Sequence, residues 1–387
     1  MHPEDIAKIN EILKSLKNKG NTVLIVEHDP DVIKEGDYII DMGPGSGKNG
    51  GEITFEGTYN ELLSSNTSTG NALRNKHNLK ENIREANHFY NIGPVTQNNL
   101  NNVKTSIPKH VLTVLTGVAG SGKSTLVKAG FENNDHTIFI DQKAVQGSNR
   151  SNLLTYLGIF DSVRSFFSKE TGLNKAMFSY NSKGACPNCG GKGYIKTELA
   201  FMGDFSQTCE VCHGKRYKQE VLDATIDGYS IADVLDLTVD EGIIFFDKKN
   251  DIKSKLQSVS KTGLNYMSLG QPLSTLSGGE IQRVKLAQHL DEEIKNSIFI
   301  FDEPTTGLHE SDIPILMECF DDLIDQNNTV ILIEHNLSIM CEADWIIDVG
   351  PGPGLDGGEV QFSGTPKNFI DSSETLTSKH LKRYINQ

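Results

Sequence analysis

Shifted against itself by 307 positions, the chain lays its first sixty residues on its last eighty without a gap. His2, Asp5 and Ile6 meet His309, Asp312 and Ile313, and the NTV at 21–23 meets the NTV at 328–330. Glu27 and His28 meet Glu334 and His335, DMGPG at 41–45 meets DVGPG at 348–352, GGE at 50–52 meets GGE at 357–359, and Gly57-Thr58 meets Gly364-Thr365. A repeat of this length reports a duplicated structural unit. The glycine-rich loop at 117–124, the LSGGE at 276–280 and the carboxylate pair Asp302-Glu303 all lie upstream of Leu308, and the first copy begins at the equivalent of that residue. It reads as the tail of a unit whose front is absent, whether by truncation, by a split gene or as a natural remnant.

From Val111 onward, short apolar runs alternate with helical patterns: VLTVLTG, TIFID, SIFIFDEP, TVILIEHN and WIIDVG. Runs of this length and β-branched content suit buried strands of a mainly parallel sheet with helices packed on it. The expected fold class is therefore α/β, interrupted by an insertion around a group of cysteines. Residues 64–102 are polar and Asn-rich and read as a linker, with a short helix around Leu79 to Tyr90.

Charge excludes one class of function. A net charge of −14 and a pI near 5.3 do not suit a protein that coats nucleic acid over its whole surface. MHPEDIAKIN at the start carries acidic residues and no apolar run, unlike a signal peptide. Nothing approaches the roughly 20 apolar residues that a membrane span needs, so a cytoplasmic protein without a membrane partner is expected.

GVAGSGKS at 117–124 matches G-x-x-x-x-G-K-[ST], follows an apolar strand and precedes a helical pattern. Glycines Gly117, Gly120 and Gly122, with Ser121, let backbone N–H groups converge on phosphate oxygens at a helix start, and Thr125 continues the loop into the helix. Lys123 should reach the β- and γ-phosphates and Ser124 should ligate Mg²⁺. SIFIFDEPTTG is a strand ending in two carboxylates. Asp302 is placed to hold Mg²⁺ through water, and Glu303 to take the proton of an attacking water or polarise it. His335 closes the strand ILIEHN, where an imidazole can bond a γ-phosphate, and Gln142 after TIFID is a candidate for the metal and water contact. His28 holds the repeated position in the first copy but has no phosphate loop in this chain to serve. Ser277, Gly278 and Gly279 of LSGGE open the helical run 281–290.

Four of the six cysteines form CPNC and CEVC pairs, Cys186/Cys189 and Cys209/Cys212, separated by nineteen residues. That spacing fits two knuckles supplying four thiolates to structural Zn²⁺. Cys319 and Cys341 stand alone in apolar surroundings and read as buried thiols. Between the knuckles, IKTELAFMGDFSQT reads as a hairpin or projecting loop carrying Phe201, Met202 and Phe205. Lys192, Lys196, Lys215, Arg216 and Lys218 cluster around it, and Lys196, Lys215 and Arg216 are candidate DNA contacts.

Phosphate loop, LSGGE, carboxylate pair and histidine, in that order, resemble the motif set of ATP-binding-cassette (ABC) ATPases. With a zinc module inserted between phosphate loop and LSGGE, the resemblance narrows to the UvrA family, the ATP-dependent damage-recognition subunit of bacterial excision repair. It is carried by GVAGSGKSTL, DQKAVQGSNRSNLLTYLGIFDSVRSFF, the two knuckles, GKRY, LSTLSGGEIQRVKLAQHL, FDEPTTGLHESDI and IEHN. The resemblance implies an ABC-type core whose LSGGE helix completes an ATP site on an opposite cassette, two cassettes head to tail, and ATP-controlled binding of double-stranded DNA. It implies a division into a first-cassette remnant (1–63), linker (64–102), the N-terminal part of the second cassette (103–180), zinc module (181–220), signature-domain helices (221–275) and the rest of the second cassette (276–387). Implied partners are the missing first-cassette half or a second copy of the chain, and an excision-repair helicase subunit, although the insertion that would bind the helicase is absent here. A shorter relative associated with resistance to DNA-intercalating drugs, and a non-hydrolysing nucleotide-binding remnant, remain the alternative readings.

Overall fold

The computed structural model describes residues 2–45, 47–143, 151–199, 203–292 and 294–386. Its strands are β1 (Ile39–Gly43), β2 (Glu52–Gly57), β3 (Phe89–Gln97), β4 (Leu100–Pro108), β5 (Leu112–Thr116), β6 (Thr137–Ile140), β7 (Tyr194–Leu199), β8 (Gly203–Thr208), β9 (Ile298–Asp302), β10 (Thr329–Ile333), β11 (Trp345–Gly350) and β12 (Glu359–Gly364). The chain divides into two compact units, residues 1–143 with 292–387, and residues 144–291.

The first unit is built on a six-stranded sheet in the order β12-β11-β5-β10-β9-β6. Only β12 runs antiparallel, against β11; β5, β6, β9, β10 and β11 pair in parallel. Parallel strands covered on both faces need apolar residues throughout rather than alternation, and every residue of β5 and β10 is buried. The helices Lys123–Phe131 and Ile313–Asp325 pack on this sheet, the second burying Leu316, Phe320 and Leu323. The hairpin β3–β4 adds Ile92, Leu100 and Ile107 to the core beneath the helix that follows the phosphate loop.

In the first copy of the repeat, β1 and β2 pair antiparallel with the same bulge as β11 and β12: Ile39↔Gly57 and Asp41↔Phe55 correspond to Ile346↔Gly364 and Asp348↔Phe362. Residues 21–28, which include 22–26, the counterpart of β10, form no strand. Leu24 is 88 % and Val26 96 % exposed, whereas Ile331 and Ile333 at the repeated positions are 0 % and 1 %.

The helix expected around Leu79 to Tyr90 is not there; the structure has a helix at Ser68–Arg74 and strand β3 from Phe89. The intervening backbone is held from outside. Lys80 N–H donates to the Cys341 carbonyl (2.9 Å), Arg84 N–H to Asp344 (2.9 Å), and the Arg84 guanidinium to Asp321 and Asp325. A helix would have turned those amides inward. The hairpin β3–β4 also runs across the expected linker end at residue 102.

The second unit packs helices around Phe167, Phe178, Tyr180, Tyr217, Phe246 and Leu256. It carries the cysteine knuckles, the hairpin β7–β8 and the signature helix Gly278–Leu290. The signature helix thus belongs to a different compact unit from the carboxylate strand, where the sequence had joined them in 276–387. Of the segment between the knuckles, Phe201 and Met202 and the side chain of Phe205 lie outside the described residues. Cys319 and Cys341 are buried and unbridged.

Candidate functional site

Strand β5 ends at Thr116 and the chain turns into the helix Lys123–Phe131 through the phosphate loop. Gly117 has φ +130°, and a Cβ there would stand 1.9 Å from the Val349 carbonyl oxygen, so no other residue fits. Gly120 and Gly122 also have positive φ. Lys123 is 6 % exposed, and its ammonium donates to the Gly117 and Val118 carbonyls at 2.9 Å each. Burial depresses its pKa to about 8, against the pull of Glu303, Asp348 and Asp302. Ser121 is fully buried, and Thr125 accepts from Asn98 Nδ2 at 3.1 Å, tying the loop to the tip of β3–β4.

The Ser124 hydroxyl donates to Asp302 Oδ1 at 3.5 Å, and Lys128 Nζ stands 3.7 Å from Asp302 Oδ2. A hydroxyl and a carboxylate oxygen on adjoining elements beside a phosphate loop are hard ligands suited to Mg²⁺, so the residues fit that ion. Glu303 follows with φ +51°, a left-handed backbone uncommon for a residue with a Cβ. Its carbonyl accepts from Gln142 Nε2 at 3.2 Å, and its Oε1 is 3.8 Å from His335 Nε2. Burial of His335, with Lys123 and His2 nearby, pushes its pKa down to about 2, so the ring is neutral. His335 and Glu303 line a cavity of about 360 Å³ shared with His28, Asp29 and Pro3 of the first copy. The structure therefore brings Lys123, Ser124, Asp302, Glu303, Gln142 and His335 together.

Glu334 is a residue that the sequence did not single out. Buried at 3 %, it accepts from the Thr305 N–H (2.9 Å), the Thr305 hydroxyl, the His335 N–H (2.7 Å) and the Asn336 N–H (3.1 Å). It pins the loop after the carboxylates to the loop bearing His335. Its repetition as Glu27 beside His28 was the available signal.

In the second unit, Cys186, Cys189, Cys209 and Cys212 are buried with their Sγ atoms all within 4.8 Å of one another. Cys186–Cys209 and Cys189–Cys212 are 4.0 and 3.7 Å apart, close to the ~3.8 Å edge of a tetrahedron with Zn–S near 2.3 Å. Gly193 N–H donates to Cys189 Sγ (3.2 Å) and Asn188 Nδ2 to Cys209 Sγ (3.3 Å), so each of these two sulfurs already faces an N–H donor. The Asn188 bond is the first cause that lowers Cys209 to about 6. The donor set fits structural zinc. Beside it, Lys215 is paired with Asp233 at 2.8 Å, and Arg216 lies over the Tyr180 ring at 5.1 Å, while Lys196 sits on β7.

Ser277 caps the helix Gly278–Leu290: its hydroxyl accepts the Glu280 N–H (3.3 Å) and donates to Glu280 Oε2 (2.9 Å), while Tyr266 donates to Glu280 Oε1 (2.7 Å). The capping box leaves the first-turn amides of Gly278 and Gly279 without intrahelical acceptors, at the positive end of the helix.

A family model described as "ABC transporter" matches residues 100–306. UvrABC system protein A of Aquifex aeolicus is 41 % identical over 420 residues, covering 100 % of this chain and 45 % of the relative. The Bacillus subtilis protein of that name is 40 % identical, covering 100 % and 44 %. The crystal structure of UvrA2 from Deinococcus radiodurans aligns with a TM-score of 0.92 at 38 % identity, covering all of this chain and 50 % of that one. The chain belongs to the UvrA family. It spans about half the length of the relatives it matches, and carries the ABC ATPase fold of that family, a mixed α/β sheet, together with a four-cysteine cluster. Among the described residues of this UvrA-family chain, no helix is long and apolar enough to cross a membrane.

Proposed function

We propose that this chain binds and hydrolyses ATP at the site around Lys123 and Glu303, and couples that cycle to binding of double-stranded DNA in nucleotide excision repair. The observation that carries the ATPase reading is the convergence of Lys123, Ser124, Asp302, Glu303 and His335 at the C-terminal edge of one parallel sheet. Main-chain amides at 117–125 hold the phosphates and Lys123 neutralises them. Ser124 and Asp302 would hold Mg²⁺, which would supply positive charge to offset that of the phosphates. Glu303 orients and deprotonates the water, Gln142 fixes the Glu303 backbone, and neutral His335 donates to the γ-phosphate. Ser277, Gly278 and Gly279 serve the phosphates of an opposite cassette. Cys186, Cys189, Cys209 and Cys212 would hold Zn²⁺, which would supply a cross-link between the two knuckles.

Residues 1–63 are assigned to the end of a first cassette, and 181–220, 221–275 and the remainder to the zinc module, signature helices and body of a second. Among the described residues, β1 pairs only with β2, whereas its counterpart β11 also pairs with β5. A first-cassette front or a second copy of the chain is proposed to supply that strand. Handover to a repair helicase rests on the "UvrABC system" relatives alone. DNA contact is assigned to Lys196 and Arg216, with Lys215 contributing least because Asp233 already neutralises it.

The test is Glu303→Gln. MgATP binding measured by calorimetry should persist while turnover falls at least ~100-fold; undiminished hydrolysis would show the base to be elsewhere. Binding of duplex DNA should fall with salt and weaken further in the triple variant Lys196→Ala, Lys215→Ala, Arg216→Ala.

A further inference from the structure

Two histidines 307 positions apart build the same polar chain, each reaching into the other copy of the repeat. His2 caps the helix Pro3–Asn18, and its Nδ1 accepts the Glu4 N–H at 3.2 Å. A ring nitrogen that accepts from an amide carries no proton, so the neutral ring is protonated at Nε2. That Nε2–H donates to Thr377 Oγ1 at 3.0 Å, and the threonine hydroxyl donates to Asp348 Oδ1 at 3.3 Å. His309 caps the turn Glu310–Asp312 with its Nδ1 accepting the Ser311 N–H at 3.2 Å. Its Nε2–H donates to Thr69 Oγ1 at 3.0 Å, and Thr69 donates to Asp41 Oδ1 at 2.7 Å. Asp41 and Asp348 are repeat mates at the bulge of β1 and β11, and each threonine is the second residue of the second α-helix after the hairpin, Ser68–Arg74 or Leu376–Tyr384. The contact is reciprocal: a first-copy histidine reaches the second-copy Asp348 through Thr377, and a second-copy histidine reaches the first-copy Asp41 through Thr69.

The two chains differ in what surrounds them. Asp348 pairs with Thr116 on the strand that enters the phosphate loop, and its Oδ1 stands 3.1 Å from where a Cβ on Gly117 would be. The His2 ring also lies edge-on to the His335 ring, centroids 5.7 Å apart. His335 Nδ1 is buried without a partner among the described residues, and its Nε2 meets Glu303 only at 3.8 Å. Packing, rather than a hydrogen bond, therefore sets the orientation of that imidazole, and His2 is part of the packing.

We propose that His2 is a positioning residue for the nucleotide site of the second copy, holding Asp348 beneath the phosphate loop and fixing the His335 imidazole, while His309 makes the same bonds as an interlock only. The inference rests on the reading of that site as an ATP site. Burial of both rings keeps them neutral, consistent with the tautomer that the bonds require.

The full chain is compared with His2→Ala, His309→Ala, Thr377→Val and His2→Gln. Because His335 faces the γ-phosphate, loss of His2 should raise Kd for MgATP relative to MgADP by roughly fivefold to tenfold, the scale of one or two net hydrogen bonds. His309→Ala should leave that ratio within about twofold, since it removes the same bonds away from the phosphate loop. His2→Gln, which keeps a donor toward Thr377, should recover part of the loss, and Thr377→Val should fall between. An unchanged ratio in folded His2→Ala, or equal changes in both alanine variants, overturns the positioning role. Independently of nucleotide, imidazole ¹⁵N–¹H spectra should show His2 as the Nε2–H tautomer, displaced by Thr377→Val and by His335→Ala. A His2 protonated at Nδ1, or averaging between tautomers, overturns the chain itself. If the wild-type protein binds neither nucleotide, the ATPase reading fails, and the tautomer measurement still decides the interlock.

Discussion

The chain contains one sequence pattern in two surroundings. In the second copy, NTVILIEHN becomes β10, paired on both sides by β5 and β9 and wholly buried. In the first, NTVLIVEHD at 21–29 forms no strand, and Leu24, Ile25 and Val26 are exposed to solvent. The local turns survive the difference. Glu27 accepts its own neighbours' N–H groups, from His28 (2.8 Å) and Asp29 (3.4 Å), as Glu334 accepts those of His335 and Asn336. The bulged hairpin β1–β2 matches β11–β12 pair for pair. Contacts within about six residues, and hairpins, are thus written into the repeat; a parallel strand is not, because every one of its ladder bonds comes from a partner distant in sequence.

The comparison can be tested by amide hydrogen exchange. Amides at 329–333 should exchange only by opening of the whole unit, at about 5 kcal/mol or more, whereas those at 21–28 should exchange nearly as in an unfolded chain. Supplying a first-cassette front should protect 21–28; protection of these amides in the chain alone would mean that the first copy is already paired as a strand. Next in size, Ile331→Ala should destabilise by about 3 kcal/mol through cavity formation, while Leu24→Ala at the repeated position should stay within about 0.5 kcal/mol, both read by denaturant midpoint. Glu334→Ala orphans three backbone N–H groups and the Thr305 hydroxyl and should cost about 2–3 kcal/mol. Glu27→Ala on the exposed loop should cost about a quarter of that or less, and equal losses would mean that Glu27 has a partner of its own.

The smallest effect concerns Lys123, which lies outside the repeated segments. Its folded pKa is lowered to about 8, so the ammonium is charged below that pH and neutral above it. Attraction for MgATP should be fully present at pH 6–7 and decline roughly fivefold by pH 9, with proton uptake on binding near pH 8–9 because the bound anion raises the pKa. Calorimetry in two buffers of different ionisation enthalpy reads the uptake, and a flat pH profile would place Lys123 away from the phosphates.

Much of the site was legible because its chemistry is local. A loop of 117–124 needs glycines where the backbone turns left-handed, and two C-x₂-C knuckles need little more than their own sequence. Asp302, Glu303 and His335 were legible as strand ends, since the end of a buried parallel strand delivers its next residues to one edge of the sheet. Lys215 belongs to a basic cluster along the sequence, yet Asp233, eighteen residues later, neutralises it. The helix expected near Leu79 failed because Lys80 and Arg84 answer to Asp344, Asp321 and Asp325, all more than two hundred residues away.

By itself, the sequence determined which chemistry the chain carries and that part of it is duplicated, because motif spacing and repetition are properties of neighbours along the backbone. Only the tertiary structure decided that residues 21–28 stay out of a sheet while 329–333 sit inside one, and that His2 reaches Thr377 while His309 reaches Thr69. Burial and long-range hydrogen bonding depend on which surfaces meet, and similar strings meet different surfaces at the two ends of this chain.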